Sequence, residues 1–141
     1  MNAGRVPFEA PKERSRVCFG GFRPTKHVEE PRALARGAPQ RFGVPGCSAL
    51  SVLEVQLGVK KGEEERTNHF FKHLRVFDVN REIASKAAQL IREYKGKGVT
   101  LDIPDAVIAS TCILHDLVLV TYNRKHYPIT ELEFYPLTIK P

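Results

Sequence analysis

The chain contains no tryptophan, one methionine and only three cysteines in 141 residues. Those thiols, Cys18, Cys47 and Cys112, are too few and too scattered for a disulfide framework or a zinc knuckle. Such sparing use suits a reducing cytoplasm. No apolar run approaches the roughly 20 residues that span a bilayer, so no membrane partner is expected. The N-terminus lacks the apolar stretch of a signal peptide, so export is not expected either. Aspartate is absent before Asp78. What remains is ordinary for a folded protein. At 42% hydrophobic and 27% charged residues, wholesale disorder and fibrous folds are excluded. The length allows one domain with a core able to fold unaided.

Charge and texture divide the chain. The net charge is +6. Residues 1–46 hold nine Lys and Arg against four Glu, and six of the ten prolines and six of the ten glycines. Their apolar residues follow neither a helical nor a strand period, although Val17-Cys18-Phe19 has the makings of a short strand. Residues 1–47 therefore read as an atypical basic Pro/Gly/Arg-rich segment, poorly ordered, ahead of a domain over 48–141. Its arginines are spread out rather than gathered into a patch, which favours a solvated tail over a nucleic-acid arm.

From residue 48 onward the pattern becomes regular. Ala49–Gly58 begins as a strand and turns helical, with Ser51 and Glu54 spaced as a capping box. Residues 63–74 read as a helix with an acidic first turn. Arg75–Val79 alternates like a strand. Asn80 caps a long amphipathic helix with Ile83, Ala84, Ala87, Leu90, Ile91 and Tyr94 on one face, ending at Gly96-Lys97-Gly98. A second helix starts at Asp102, with Pro104 in its first turn, and is apolar on most sides. Leu117-Val118-Leu119-Val120 is a continuous apolar run, the pattern of a strand covered on both faces. Phe134–Leu137 suits a terminal edge strand. Strands alternating with helices give an α/β fold with a parallel sheet flanked by helices.

In open parallel sheets, sites form beyond the carboxyl ends of the strands. Three groups are candidates there: Glu54, Asp105, and the Thr121-Tyr122-Asn123 segment. Gathered carboxylates repel one another unless a hard cation neutralises them. Such a cation lowers the pKa of bound water and offsets charge on a phosphoryl transition state. Taken singly, each residue has a plainer explanation. Ser51 with Glu54, and Asp102 with Asp105, are common at helix starts, and Asn123 suits a turn. Two other patterns are weaker. His69 and His73 stand four apart, and Cys112 and His115 three apart, as zinc ligands can. No Glu follows His69, and nothing in the sequence joins the two pairs, so surface histidines and a packed cysteine are the expectation. Gly96-Lys97-Gly98 lacks the rest of a phosphate loop.

The combination has a known counterpart. Residues 101–110, LDIPDAVIAS, and 117–127, LVLVTYNRKHY, resemble the second half of a PIN domain, in particular the VapC-type toxins of toxin–antitoxin pairs. Ser51-Val52-Leu53-Glu54 is similar to that family's S/T-x-x-E segment, and residues 132–137 to its tail. The resemblance covers about residues 48–137. It implies a Mg²⁺- or Mn²⁺-dependent endoribonuclease that cleaves RNA by metal-activated water, commonly a homodimer, and neutralised by a cognate antitoxin protein. By residue match it makes Asp105 a metal ligand, Glu54 the helix glutamate, Asn123 a holder of metal or water, and Thr121 a supporting group. Asp102 is left as a cap.

One departure stands out. PIN domains open with a central apolar strand ending in a metal-binding aspartate, and residues 1–46 contain no aspartate. The sheet is therefore expected to be incomplete, lacking its first central strand. The texture of that segment fits a shifted reading frame over about residues 1–47. The alternative function is a truncated or frame-disrupted PIN remnant without catalysis, acting at most as an antitoxin- or RNA-binding module.

Overall fold

The computed structural model describes residues 17–20 and 44–135. Five strands form one sheet in which every pairing is parallel. They are β1 (Val17–Phe19), β2 (Gly46–Ser48), β3 (Arg75–Phe77), β4 (Val118–Val120) and β5 (Glu133–Phe134), in the spatial order β3-β2-β1-β4-β5. Among the described residues four helices accompany them: α1 (Ala49–Leu57), α2 (Glu64–Lys72), α3 (Arg81–Gly96) and α4 (Ile103–Leu114). The layered α/β architecture is the one the residue pattern predicts.

The expected gap at the centre of the sheet is not there. Val17-Cys18-Phe19 fills it, pairing with β2 on one side and β4 on the other. The ladder continues one residue further, where the Gly20 N–H donates to the Val120 carbonyl at 3.1 Å. A three-residue strand is too short to announce itself by period. Tertiary burial identifies it instead. Val17 and Phe19 pack with Cys47, Phe70, Leu74 and Val120 on one face, while Cys18 packs with Leu90, Ile108 and Leu119 on the other. That alternation is the two-residue repeat of a strand buried on both faces. Residues 44–47 of the segment are described and lead into β2; residues 1–16 and 21–43, on which the nucleic-acid reading falls, lie outside the described residues, as do residues 136–141.

The helices form where their sequences favour them. Asn80 Oδ1 accepts from the Ile83 N–H at 2.9 Å and starts α3, whose Ile83, Ala87, Leu90 and Tyr94 are buried at helical spacing. Ala84, placed by periodicity on the same face, is exposed. The capping box assigned to Ser51 and Glu54 is corrected. Ser48 is the N-cap of α1, its Oγ accepting from the Leu50 N–H at 3.1 Å. Ser51 lies inside the helix, where its buried hydroxyl donates to the Phe19 carbonyl at 3.3 Å and ties α1 to the central strand. Asp102 occupies the N-cap position of α4 but makes no side-chain capping bond. All three cysteines are free and buried. Burial pushes the Cys47 thiol to about 12, far from reactive thiolate. Among the described residues, no helix is long and apolar enough to cross a membrane.

Candidate functional site

The strand order reverses direction at β1. From there the chain builds outward through β2 and β3, then returns to the other side for β4 and β5. A crevice at the carboxyl ends of strands flanking such a switch is where ligands of open α/β sheets sit. The sequence delivers its candidate residues to that edge. Glu54 lies in α1, which starts directly after β2. Helix α4 leads down to the start of β4, so its first turn, with Asp105, lies at the carboxyl edge. Thr121 and Asn123 directly follow β4.

Glu54 and Asp105 meet electrostatically. Each carboxyl is only partly exposed. The Glu54 pKa is raised above its ordinary 4.5, first by loss of solvent and then by the Asp105 charge. The Asp105 pKa is raised above its ordinary 3.8, chiefly by burial and further by Asp102. Two groups counter that rise: the Tyr127 hydroxyl and His126. His126 Nδ1 stands 3.6 Å from Asp105 Oδ2 and is itself exposed. It belongs to the 3₁₀ turn Arg124–His126 that Asn123 introduces, so the segment bearing Asn123 reaches Asp105. The Thr121 hydroxyl, buried, accepts from the Asn123 N–H at 3.1 Å and fixes the start of that turn. The zinc-like sequence pairs do not converge: Cys112 is core, and His115 packs on Phe77 with ring centroids 4.5 Å apart.

Two participants went unnoticed in the sequence, His126 and Tyr127. Their signal was adjacency to Asn123, within the same stretch. Tyr127 is almost wholly buried, and its hydroxyl makes no well-formed hydrogen bond. It still lies near enough to Asp105 to favour the carboxylate, while burial and then the Asp105 charge drive its own pKa far up. Beside it stands Gly20, at the end of the central strand. A Cβ there would lie 2.9 Å from Ile108 Cγ2, 2.9 Å from Leu119 Cδ1 and 3.2 Å from Tyr127 Oη. Apolar side chains and a phenol thus close the space on which a side chain at residue 20 would open.

The candidate donors named from the sequence are hard oxygens, the carboxyls of Glu54 and Asp105 and the amide of Asn123. That chemistry fits Mg²⁺ or Mn²⁺, and Mg²⁺ in particular binds through one or two carboxylates while keeping several waters. Among the described residues, no three His, Cys, Asp or Glu side chains converge on one point.

The raised carboxyl values carry a stability signature. In the pH range between their unfolded and folded pKa values, the folded chain binds more protons than the unfolded one. Stability contributed by these groups is present below the unfolded values, near 4, and is lost as pH rises through the raised folded values. Glu54→Gln removes one charge of the pair. Urea unfolding across pH 4–8 is expected to show a shallower fall in midpoint for that variant than for the parent chain. An unchanged slope would mean that folding does not raise the Glu54 carboxyl.

Comparison with known proteins follows the same outline. The family model of the PIN domain matches residues 17–132, so the match begins at the central strand rather than at residue 48. Ribonuclease VapC1 of Methanocaldococcus jannaschii is 27% identical over 89 residues, 62% of this chain and 65% of that protein. The chain thus spans slightly less than two thirds of that relative's length. A toxin–antitoxin complex from Klebsiella pneumoniae contains a chain 27% identical, with a TM-score of 0.58 covering 84% of this chain and 99% of that one. The DNA-bound VapBC structure from Salmonella typhimurium superimposes with a TM-score of 0.70 at 22% identity, covering 85% of this chain and 96% of the other. At that identity the likeness speaks for the fold.

Proposed function

This chain belongs to the PIN-domain family, and on that premise we propose that it is a VapC-type, Mg²⁺- or Mn²⁺-dependent endoribonuclease, the toxin of a toxin–antitoxin pair. The observation that carries the proposal is that Glu54 and Asp105, both half-buried, stand near enough at the carboxyl edge of the parallel sheet for the Asp105 charge to act on Glu54. Asp105 and Glu54 would hold the ion, with Asn123 completing the oxygen set. The ion, when bound, would supply positive charge to offset that of the phosphodiester and lower the pKa of a water.

The chain's own residues supply the rest. Desolvation and repulsion leave the two carboxylates short of a counter-charge, which is the condition under which a cation binds them. His126, when protonated, shares the Asp105 charge and sits exposed at the rim. Lys125 is exposed beside it, and both would contact an RNA backbone. Thr121 holds the Asn123 turn. The partner is a cognate antitoxin protein, in keeping with the complexes formed by similar folds. A second copy of the chain is a further partner, and the cytoplasm is the place of action.

A second reading has its own observation. Gly20 follows the central strand, where the resemblance to the family calls for a metal-binding aspartate, and packing closes on that position. A chain so altered would bind antitoxin or RNA without cutting. The two readings separate when the full chain is incubated with single-stranded RNA and Mg²⁺. Cleavage that EDTA stops, and that Mg²⁺ restores, establishes the nuclease. Intact RNA together with antitoxin or RNA binding establishes the module.

A further inference from the structure

Outside the carboxylate site, two imidazole rings stand together on the surface, whereas the neighbouring thiols of Cys18 and Cys112 are buried. His69 and His73 lie one turn apart at the end of α2. Their Nε2 atoms are 3.3 Å apart and exposed, and their rings meet edge to face with centroids 4.8 Å apart. Zinc bound to imidazole nitrogen at about 2.05 Å, with a tetrahedral angle near 109°, requires a nitrogen separation of about 3.3 Å. A square-planar or octahedral cis pair requires about 2.9–3.0 Å at such bond lengths. We propose that His69 and His73 form a bidentate site for Zn²⁺ at the C-terminal end of α2, distinct from the hard-oxygen site at the sheet edge.

Helix polarity and one carboxylate favour a cation, while Arg66 and Lys72 on the neighbouring turns oppose it. The last carbonyls of α2 present the negative end of the helix dipole to it. Glu65 stands one turn before His69 on the same helical face and adds a negative charge. Imidazole nitrogen is a donor that Zn²⁺ takes readily and Mg²⁺ does not, so the two sites would select different metals. With both imidazoles bound, two tetrahedral positions remain for water. Because the ligands span one turn, the ion would clasp the end of α2 just ahead of β3.

The test is a calorimetric Zn²⁺ titration of the metal-free full chain, repeated on His69→Ala, His73→Ala and Asp105→Asn. The parent chain and Asp105→Asn are expected to bind one Zn²⁺ with matching affinity at the histidine pair. Each histidine variant is expected to lose at least tenfold in affinity, with its circular dichroism unchanged because both positions are exposed. Proton NMR should show the ring resonances of both histidines moving together with added Zn²⁺. Equal binding by the parent chain and His73→Ala would overturn the site. So would no binding at all, which leaves the rings merely hydrogen-bonded, or loss of all Zn²⁺ binding in Asp105→Asn, which assigns the ion to the carboxylates.

Discussion

Asp105→Asn is expected to abolish RNA cleavage, lowering the rate by about 100-fold or more, while leaving the chain folded. A preorganised group facing the developing charge of a transition state is commonly worth such a factor, and a direct metal ligand should be worth no less. The substitution keeps the side chain's size and its place in the first turn of α4, so helix and sheet should stand. Removing the charge also relieves the repulsion felt by Glu54. The variant should therefore be at least as stable as the parent near neutral pH. Parallel assays of RNA cleavage with Mg²⁺ and of urea unfolding check both halves. Cleavage at the parental rate would remove Asp105 from the chemistry and with it the nuclease proposal. Loss of cleavage together with loss of folding would assign Asp105 a structural role instead.

Gly20→Asp is expected to damage the protein rather than restore a complete ligand set. It returns an aspartate to the end of the central strand, which on sequence grounds is the obvious repair. The packing forbids a simple repair. The new Cβ would press within 2.9 Å of Ile108 Cγ2 and Leu119 Cδ1. Overpacking of that kind costs about 1–3 kcal/mol. A carboxylate directed among apolar side chains adds a desolvation cost. Gly20→Ala carries the first cost without the second. The urea midpoint should accordingly fall from parent to Gly20→Ala and further in Gly20→Asp, and Mg²⁺ affinity should not rise. A Gly20→Asp chain as stable as the parent, with tighter Mg²⁺ binding, would show that the crevice opens at residue 20. The absence of an aspartate would then be a simple deletion of function.

These two substitutions probe different sources of information. Asp105 was legible in the sequence because the residues around it are local signals. An N-cap position at Asp102, a proline in the first turn and a buried apolar helix fix where the carboxyl sits along α4. Glu54 was singled out with the wrong local partner. Its supposed capping companion Ser51 bonds instead to the Phe19 carbonyl, 32 residues away. Spacing along a chain cannot distinguish a cap from a long-range bond, because both place a hydroxyl in the first turns of a helix. His126 and Tyr127 were not singled out. Their importance comes from where the 3₁₀ turn lands, beside a helix some 20 residues earlier in the chain.

By itself, the sequence determined the alternation of helices and strands after residue 48 and the separation of basic from balanced charge. It also put Asp105 in the first turn of α4 and Asn123 just beyond β4. Each of these follows from local spacing, capping preference or composition, and each acts over a few residues. Tertiary structure alone decided that Val17-Cys18-Phe19 is the central strand. Three residues carry no measurable period, and burial on both faces by α2, α4 and the neighbouring strands is what selects them. It also decided that residue 20 is closed to a side chain and that Glu54 and Asp105 share a field. Those outcomes depend on distances between segments far apart in the chain, and such distances exist only once the sheet has assembled.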